Sequence, residues 1–176
     1  MPILFTLYTN DCSINSSNNV NLIKFADDST IQGLISNDDE SFYKKEVNSF
    51  VSWCTEHFLL LNIKKTKELV IDFRRKKEDI KPLEIEGEKV DIVNSYKYLG
   101  ITINDKLDWS DHVDITNKKL HQRLYFLRKL RKFNIDNQLL SLFYKSVIES
   151  IFSFCVICWG GNTLFKDISK KKQSYL

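Results

Sequence analysis

Two adjacent aspartates, Asp27 and Asp28, lie between short apolar runs in NLIKFADDSTIQGL, which spans residues 21–34. The runs are typical of two strands, so both carboxylates are predicted at the tip of a hairpin. Adjacent carboxylates repel each other unless a cation shares them, and Mg²⁺ prefers such hard oxygen ligands. A pair of these ions can hold the attacking and leaving oxygens of phosphoryl transfer, so the aspartates suggest nucleotidyl transfer. The alternative is an ordinary turn, where aspartate is common because it caps backbone groups.

The composition favours a folded protein with an asymmetric charge distribution. The 176 residues are 43% hydrophobic, and no apolar run is long enough for a membrane-spanning helix or a secretory signal. We therefore expect a protein of the nucleus or cytoplasm with no membrane partner. Residues 1–50 carry a net charge of −4, whereas the remainder carries +7. The basic end is the predicted docking surface for a polyanion.

The elements that must position the aspartates predict an α+β fold. Strands are expected at 20–25 and 29–35, and a helix is expected to begin within 37–41. That helix has apolar positions with a helical period, namely Val47, Phe50, Val51, Cys54 and Phe58. Further strands are predicted over 68–73 (ELVIDF), as a hairpin over 83–93 around Gly87, and as a strand pair or bent strand over 96–103 (YKYLGITI).

Two long helices are predicted to follow and to pack as an antiparallel pair. The first spans about 110–133, with Ser110 and Asp111 as capping candidates, and the second begins near Asp136. The buried stripe of the first comprises Val113, Leu120, Leu124, Leu127 and Leu130. The stripe of the second comprises Leu139, Leu140, Phe143, Val147, Ile151 and Phe154.

The first of these helices also concentrates positive charge. Residues 118–132 include seven bases and no acid, a pattern that suits nucleic acid, although a solvated helix face is the alternative. Contacts to a nucleic-acid backbone would depend on shape and salt rather than on sequence. The seven candidate residues are Lys118, Lys119, Arg123, Arg128, Lys129, Arg131 and Lys132.

In this order the segments resemble the reverse transcriptase of LINE-type (non-LTR) retrotransposons. PILFTLYTND is similar to the tail of that family's motif B, FADD to motif C, LNIKKTKELVIDF to motif D, YKYLGITI to motif E, and residues 118–133 to the thumb. The resemblance implies a partial polymerase palm of antiparallel strands plus a helix over 1–107. It also implies an all-helical thumb-like segment over 108–160. The basic and polar composition of 161–176 predicts a disordered tail.

The resemblance implies roles for individual residues. Asp27 matches the aspartate that ligates the catalytic Mg²⁺ or Mn²⁺, and Asp28 matches its supporting neighbour. Lys65 matches the lysine of the motif D "KT" pair, a candidate acid for the leaving pyrophosphate or a guide for phosphates, with a solvated loop lysine as the alternative. The implied partners are an RNA template and a DNA primer.

Two further assignments come from the same resemblance. Tyr98, Leu99 and Gly100 resemble the motif E turn that positions the primer end, where glycine permits close backbone approach; a plain hairpin glycine is the alternative. Phe25 would pack beneath the nucleotide site or, alternatively, in the core of its strand.

The family's catalysis also uses an aspartate on a motif A strand upstream of motif B, and the 176 residues contain no counterpart. We therefore expect this palm–thumb fragment to hold metal weakly or not at all, and to be inactive alone. One alternative is a non-catalytic nucleic-acid-binding remnant whose binding survives Asp27→Asn. Another is a translated pseudogene product with no function.

A minor alternative begins at His112-Val113-Asp114, which matches the H-x-D half of an iron facial triad. The segment around it resembles the N-terminal domain of an alkylation-repair dioxygenase and tRNA-methyltransferase homologue. The triad needs a distant second histidine on a β-barrel strand, whereas the downstream histidine is His121, and no glycine-rich loop follows a strand for methyl transfer. The C-x-x-C pair Cys155 and Cys158 lacks a second pair, so reduced thiols are expected rather than a zinc site.

Overall fold

The computed structural model describes residues 2–12, 19–75 and 80–161. The chain divides into unit 1, residues 1–68 with 80–91, and unit 2, residues 69–79 with 92–176. Both units contain helices and antiparallel hairpins, which confirms the α+β class. The predicted basic tail beyond residue 161 lies outside the described residues. Among the helices that the structure describes, none is long and apolar enough to cross a membrane.

Unit 1 is built around one long helix and two hairpins. Its elements are α1 (Pro2–Tyr8), β1 (Val20–Phe25), β2 (Asp28–Gly33), α2 (Ser41–Glu56), β3 (Lys67–Glu68), β4 (Glu84–Ile85) and β5 (Glu88–Lys89), and β6 (Asp91–Ile92) begins at its last residue. The predicted hairpin around Gly87 is confirmed: Glu86 and Gly87 have φ of 52° and 82°, as a two-residue type I′ turn requires.

Helix α2 forms where its apolar period predicts and buries one face. At its start Asp39 Oδ1 accepts a hydrogen bond from Ser41 N at 2.9 Å. Hydrogen bonds from the Ser41 side chain and from Ser41 N lower the pKa of the Asp39 carboxyl. Two buried clusters meet the helix, one of Cys12, Val20, Phe50 and Cys54, the other of Val47, Leu83, Ile85 and Val90. The predicted burial of Phe58 is wrong: the helix ends at Glu56 and Phe58 is 91% exposed.

The predicted strand over 68–73 is mostly wrong. Of this segment only Glu68 belongs to a strand, as the second residue of β3. A strand needs a partner to pair its backbone groups, and the partner of β3 is β6, which is only two residues long. Leu-Val-Ile-Asp-Phe therefore forms no strand, although its residues favour one.

Unit 2 consists of a hairpin and a set of packed helices. Its elements are β7 (Ser95–Tyr98), β8 (Ile101–Asn104), α3 (Ser110–Lys132), α4 (Asn137–Phe143), a π-helical segment (Tyr144–Glu149), α5 (Ser150–Ser153) and α6 (Val156–Trp159). Helix α3 contacts β8, α4, the π-helical segment and α5. The buried cluster comprises Val113, Leu120, Ile148 and Trp159. The two predicted helices and their mutual packing are thus confirmed.

The cap of α3 differs from the prediction. Neither Ser110 nor Asp111 caps the helix; instead Asp108 Oδ1 accepts hydrogen bonds from Ser110 N at 2.9 Å and Ser110 Oγ at 2.7 Å. Asn104 Nδ2 donates to the same oxygen at 2.8 Å. These hydrogen bonds lower the pKa of Asp108 to about 2, since each favours the ionised carboxylate. The N-cap position is therefore Trp109, and the acceptor side chain at the helix start comes from Asp108, two residues before the predicted start.

The buried stripe of the second helix is correct only in part. Asp136 caps α4 by accepting from Gln138 N at 2.9 Å, as its position predicts. Leu139 is 57% exposed and Phe154 is 48% exposed, so the predicted burial of both is wrong. The π-helical segment inserts an extra residue into its turn, and Ile148 rather than Val147 is fully buried at 1% exposure.

Candidate functional site

The structure places both aspartates at the end of the β1–β2 hairpin. Phe25 pairs with Asp28 across the ladder, so Ala26 and Asp27 form the two-residue turn. Ala26 has φ of 53°, a left-handed conformation that costs a non-glycine residue about 1–2 kcal/mol. Both carboxylates are exposed. The turn therefore holds two acidic groups in solvent on a locally strained backbone.

The two faces of the hairpin differ in polarity and burial. Residues directly opposite in the ladder share a face, which places Ile23, Phe25 and Asp28 on the outer one. Ile23 is 40% exposed and Phe25 is 61% exposed, so the strand-core role considered for Phe25 is wrong. The inner face packs Val20 and Leu22 on the cluster around Phe50. On the outer face the exposed apolar side chains of Ile23 and Phe25 thus lie next to the aspartate turn, among polar neighbours.

Lys24, on the inner face, fixes the hairpin to the segment that follows α1. Its ammonium donates hydrogen bonds to the carbonyl oxygens of Thr9 and, at 3.3 Å, of Cys12. Sequence reasoning missed this role. The available signal was a lysine on the same strand face as the apolar positions Val20 and Leu22, two residues after Leu22, because a charge on a packed face needs hydrogen-bond partners.

The side chains at the turn are of the chemical type that binds Mg²⁺. Asp27 and Asp28 offer hard carboxylate oxygens, the donors that Mg²⁺ and Mn²⁺ take. Across residues 2–12, 19–75 and 80–161, no group of three or more His, Cys, Asp or Glu side chains is placed to hold a metal. Two carboxylates would leave most of the coordination to water and substrate phosphates.

Lys65 lies on an exposed turn that Asn62 organises. Lys65 N donates to Asn62 O at 3.0 Å, and both Thr66 N and Thr66 Oγ1 donate to the same oxygen at 3.0 Å. Within the described part of the chain, no hydrogen bond or ion pair joins the Lys65 ammonium to Asp27 or Asp28. The neighbouring Lys67 has a different role, since its Nζ pairs with Asp91 Oδ2 at 2.6 Å.

The predicted primer-positioning residues form a second tight hairpin turn. Tyr98 pairs with Ile101, and Leu99 and Gly100 have φ of 45° and 92°, a type I′ pair. A Cβ on Gly100 would lie 3.1 Å from Phe154 Cε1 and 3.2 Å from Phe154 Cζ. Glycine is therefore needed here for its backbone conformation and for the close approach of Phe154.

His112 connects this hairpin to α3. Its Nδ1 accepts a hydrogen bond from Thr102 N at 3.2 Å, so the ring proton is assigned to Nε2. The ring packs edge-on against Trp159, with 5.4 Å between centroids. Burial lowers the pKa of His112, and the charge of Lys119 lowers it further. These contacts are those of a neutral core histidine.

The position of His112 argues against the iron motif considered for His112-Val113-Asp114. Residues two apart on a helix project about 200° apart, so His112 is buried while Asp114 is exposed. The Nδ1 atom of His112 is already engaged, and the exposed His121 directs its Nδ1 to Asn117 O at 2.8 Å. The three side chains are not arranged as a facial triad.

The basic candidates all project from α3 into solvent. Each of Lys118, Lys119, Arg123, Arg128, Lys129, Arg131 and Lys132 is exposed. Lys129 Nζ lies 5.6 Å from the centroid of the Tyr125 ring, a cation–π distance. The helix thus offers a long positively charged surface above a core formed by Val113, Leu120 and Trp159.

Comparison with known proteins relates the chain to two groups. The family model described as "Alkylated DNA repair protein alkB homolog 8, N-terminal" matches residues 109–150, which span α3, α4 and the π-helical segment. A "Probable RNA-directed DNA polymerase from transposon BS" of Drosophila melanogaster is 24% identical over an alignment of 169 residues that covers 90% of this chain. The chain covers only 19% of that relative's length. No solved structure matches. The more extensive similarity is therefore to a transposon reverse transcriptase.

Proposed function

We propose that these residues form the palm and thumb part of a LINE-type reverse transcriptase, with motifs at the positions quoted above. The observation that carries the proposal is the similarity to the Drosophila transposon polymerase over 90% of the chain. Two structural findings support it. The hairpin turn presents Asp27 and Asp28 to solvent, and the long helix α3 presents seven exposed bases.

In this proposal the aspartate turn is the metal-binding part of a nucleotidyl-transfer site. When bound, Mg²⁺ or Mn²⁺ would neutralise phosphate charge and activate the attacking oxygen. Asp27 is the ligand and Asp28 its supporting neighbour, and the rigid two-residue turn fixes their separation. Lys65, exposed on the Asn62 turn, contributes positive charge for the phosphates.

The proposed role of unit 2 is to hold the nucleic acid. The Tyr98–Gly100 turn positions the primer end, and it is supported from behind by Phe154 and by the Thr102–His112 hydrogen bond. The basic side chains of α3 bind the phosphate backbone of an RNA–DNA hybrid. Such binding releases counterions, so affinity falls as salt rises.

The binding part is tested with an RNA–DNA hybrid across a salt series. Neutralising Arg123, Arg128, Lys129 and Arg131 to glutamine removes up to four phosphate contacts, so the slope of log affinity against log salt should fall by up to about 4. The matched control neutralises four exposed lysines away from α3, which are Lys45, Lys81, Lys89 and Lys106. Equal losses in the two variants would contradict a specific role for α3, and no binding at all would favour a product without function.

The catalytic part is tested by primer extension with Mg²⁺ and with Mn²⁺. We expect the 176 residues alone to extend no primer, because two neighbouring carboxylates supply fewer ligands than a two-metal site uses. Asp27→Asn should leave hybrid binding unchanged, as a non-catalytic nucleic-acid-binding remnant also requires. Extension by the chain alone that disappears in Asp27→Asn would refute the expected inactivity and support the metal assignment.

The match over residues 109–150 supports a second candidate, a segment like the N-terminal part of an alkylation-repair protein. Its similarity is confined to the helical pair. An iron site at His112 and Asp114 would need His112 Nδ1 or Nε2 to leave the core. Purified protein should therefore contain no stoichiometric iron that depends on Asp114, as metal analysis of the chain and of Asp114→Asn can determine.

A further inference from the structure

Two neighbouring aromatic rings project from α3 on the side away from its core. Tyr125 is 53% exposed and Phe126 is 50% exposed. Their centroids are 5.9 Å apart and their planes are inclined by 70°. Single exposed apolar residues are common on protein surfaces, but two contacting aromatic rings on one exposed turn form a defined surface.

Each ring lies within a row of basic residues. With 3.6 residues per turn, Lys118, Lys129 and Lys132 fall on the side of Tyr125, at seven before, four after and seven after. On the side of Phe126, Lys119 and Arg123 precede it by seven and three residues. No acidic residue occurs between 118 and 132. The surface therefore suits a ligand that is both a polyanion and a carrier of flat apolar groups.

The angle between the rings restricts the form of that ligand. Consecutive bases of a duplex are parallel and cover each other, so two rings inclined by 70° cannot both stack on them. The bases of an unpaired strand can separate, and each then offers its own face to an aromatic side chain. Lys129 Nζ lies 5.6 Å from the centroid of the Tyr125 ring, so a base that stacks on this ring lies close to a positive charge.

We propose that Tyr125 and Phe126 form a stacking platform through which α3 binds an unpaired strand in addition to the RNA–DNA hybrid. This inference rests on the proposed nucleic-acid-binding function and adds an unpaired strand to its ligands. The basic rows hold the phosphates of either form, whereas the ring pair adds affinity only for unpaired bases. Stacking is tolerant of sequence because every base has an aromatic face.

The test compares two labelled probes by fluorescence anisotropy, an oligouridine of about 12 nucleotides and an RNA–DNA hybrid of the same length. Replacing both Tyr125 and Phe126 by alanine removes two stacked bases and should weaken oligouridine binding by at least about thirtyfold. Hybrid affinity should stay nearly unchanged. The matched control is Leu142→Ala, which removes an apolar side chain that is 62% exposed on α4 but has no aromatic ring. The conservative replacement Tyr125→Trp should retain oligouridine binding.

The outcomes separate this inference from the function on which it rests. A selective loss of oligouridine binding in the double variant supports the stacking platform. If hybrid binding is salt-dependent and the ring variant binds both probes like the native chain, the platform is refuted while the proposed function stands. An equal loss for both probes also refutes the stacking platform. It would mean that the substitutions disturb the structure of α3 rather than remove stacking on unpaired bases. If the native chain binds neither probe, both proposals fail.

Discussion

Gly100→Ala should destabilise unit 2 through two separable effects. A left-handed alanine at φ of 92° costs about 1–2 kcal/mol, and its Cβ would lie 3.1 Å from Phe154 Cε1. Phe154 is 48% exposed and can move, so the crowding should add only about 1 kcal/mol. We expect a total loss of about 2–3 kcal/mol in the free energy of unfolding. Trp53 lies in unit 1, so urea unfolding followed by tryptophan fluorescence in a Trp53→Phe background, which retains Trp109 and Trp159, would measure the loss in unit 2.

A double-mutant cycle with Phe154→Ala separates the effects. In that background the alanine at position 100 meets no ring, so its cost should fall to the backbone component of about 1–2 kcal/mol. Gly87→Ala is a matched control in unit 1, because Gly87 has φ of 82° and a Cβ added there would have nothing within 4 Å. Its cost should equal the backbone component alone. An unchanged cost of Gly100→Ala in the Phe154→Ala background would refute the close approach.

Three other predictions concern single side chains. Gly33→Ala should destabilise unit 1 by about 1–3 kcal/mol in urea unfolding, since its Cβ would lie 2.5 Å from Tyr43 Cδ2; a loss under about half a kcal/mol would contradict this. The lowered pKa of His112 predicts that stability falls as pH drops below 6.5, where the unfolded histidine takes up a proton, and this loss should be absent in His112→Asn. Asp108→Ala should destabilise α3 at neutral pH, and only the native chain should then lose cap stability as pH falls from 3.8 towards about 2.

The local patterns with a strong geometric requirement were predictable from sequence. The hairpin that carries Asp27 and Asp28 follows from two alternating apolar runs around a short polar corner. The Gly87 and Gly100 turns follow from glycine in a two-residue connection. The period of apolar residues located α2 and α3 to within a residue or two.

The errors arose where tertiary context decides. The segment 68–73 has strand-forming residues, but its β-ladder is limited by a two-residue partner that no local pattern reveals. The cap of α3 was misplaced because Asp108 acts with Asn104, although an aspartate two residues before a serine at a helix start was a usable signal. The role of Lys24 depends on carbonyl groups that are distant in sequence.

For the candidate site, the sequence predicted which residue types are present but not how their side chains are oriented. The exposure of Asp27 and Asp28 could be expected from their turn, whereas the inward direction of His112 could not be read from H-x-D alone. The exposed contact between Tyr125 and Phe126 was also missed. Whether two consecutive aromatic residues of a helix are exposed can be judged only when the face that packs on the core is known.

The π-helical segment Tyr144–Glu149 has a consequence for which insertions and deletions the chain tolerates. Removing one residue from it would restore a regular α-helix locally, a change that backbone hydrogen bonding alone would favour. Because the widened turn holds the extra residue, the residues that follow would keep their positions. Trp159, which is fully buried, would keep its place beside His112. The segment is therefore a place where the helix should tolerate a one-residue deletion, whereas a deletion in the regular helix α3 would rotate every later residue of that helix by about 100°.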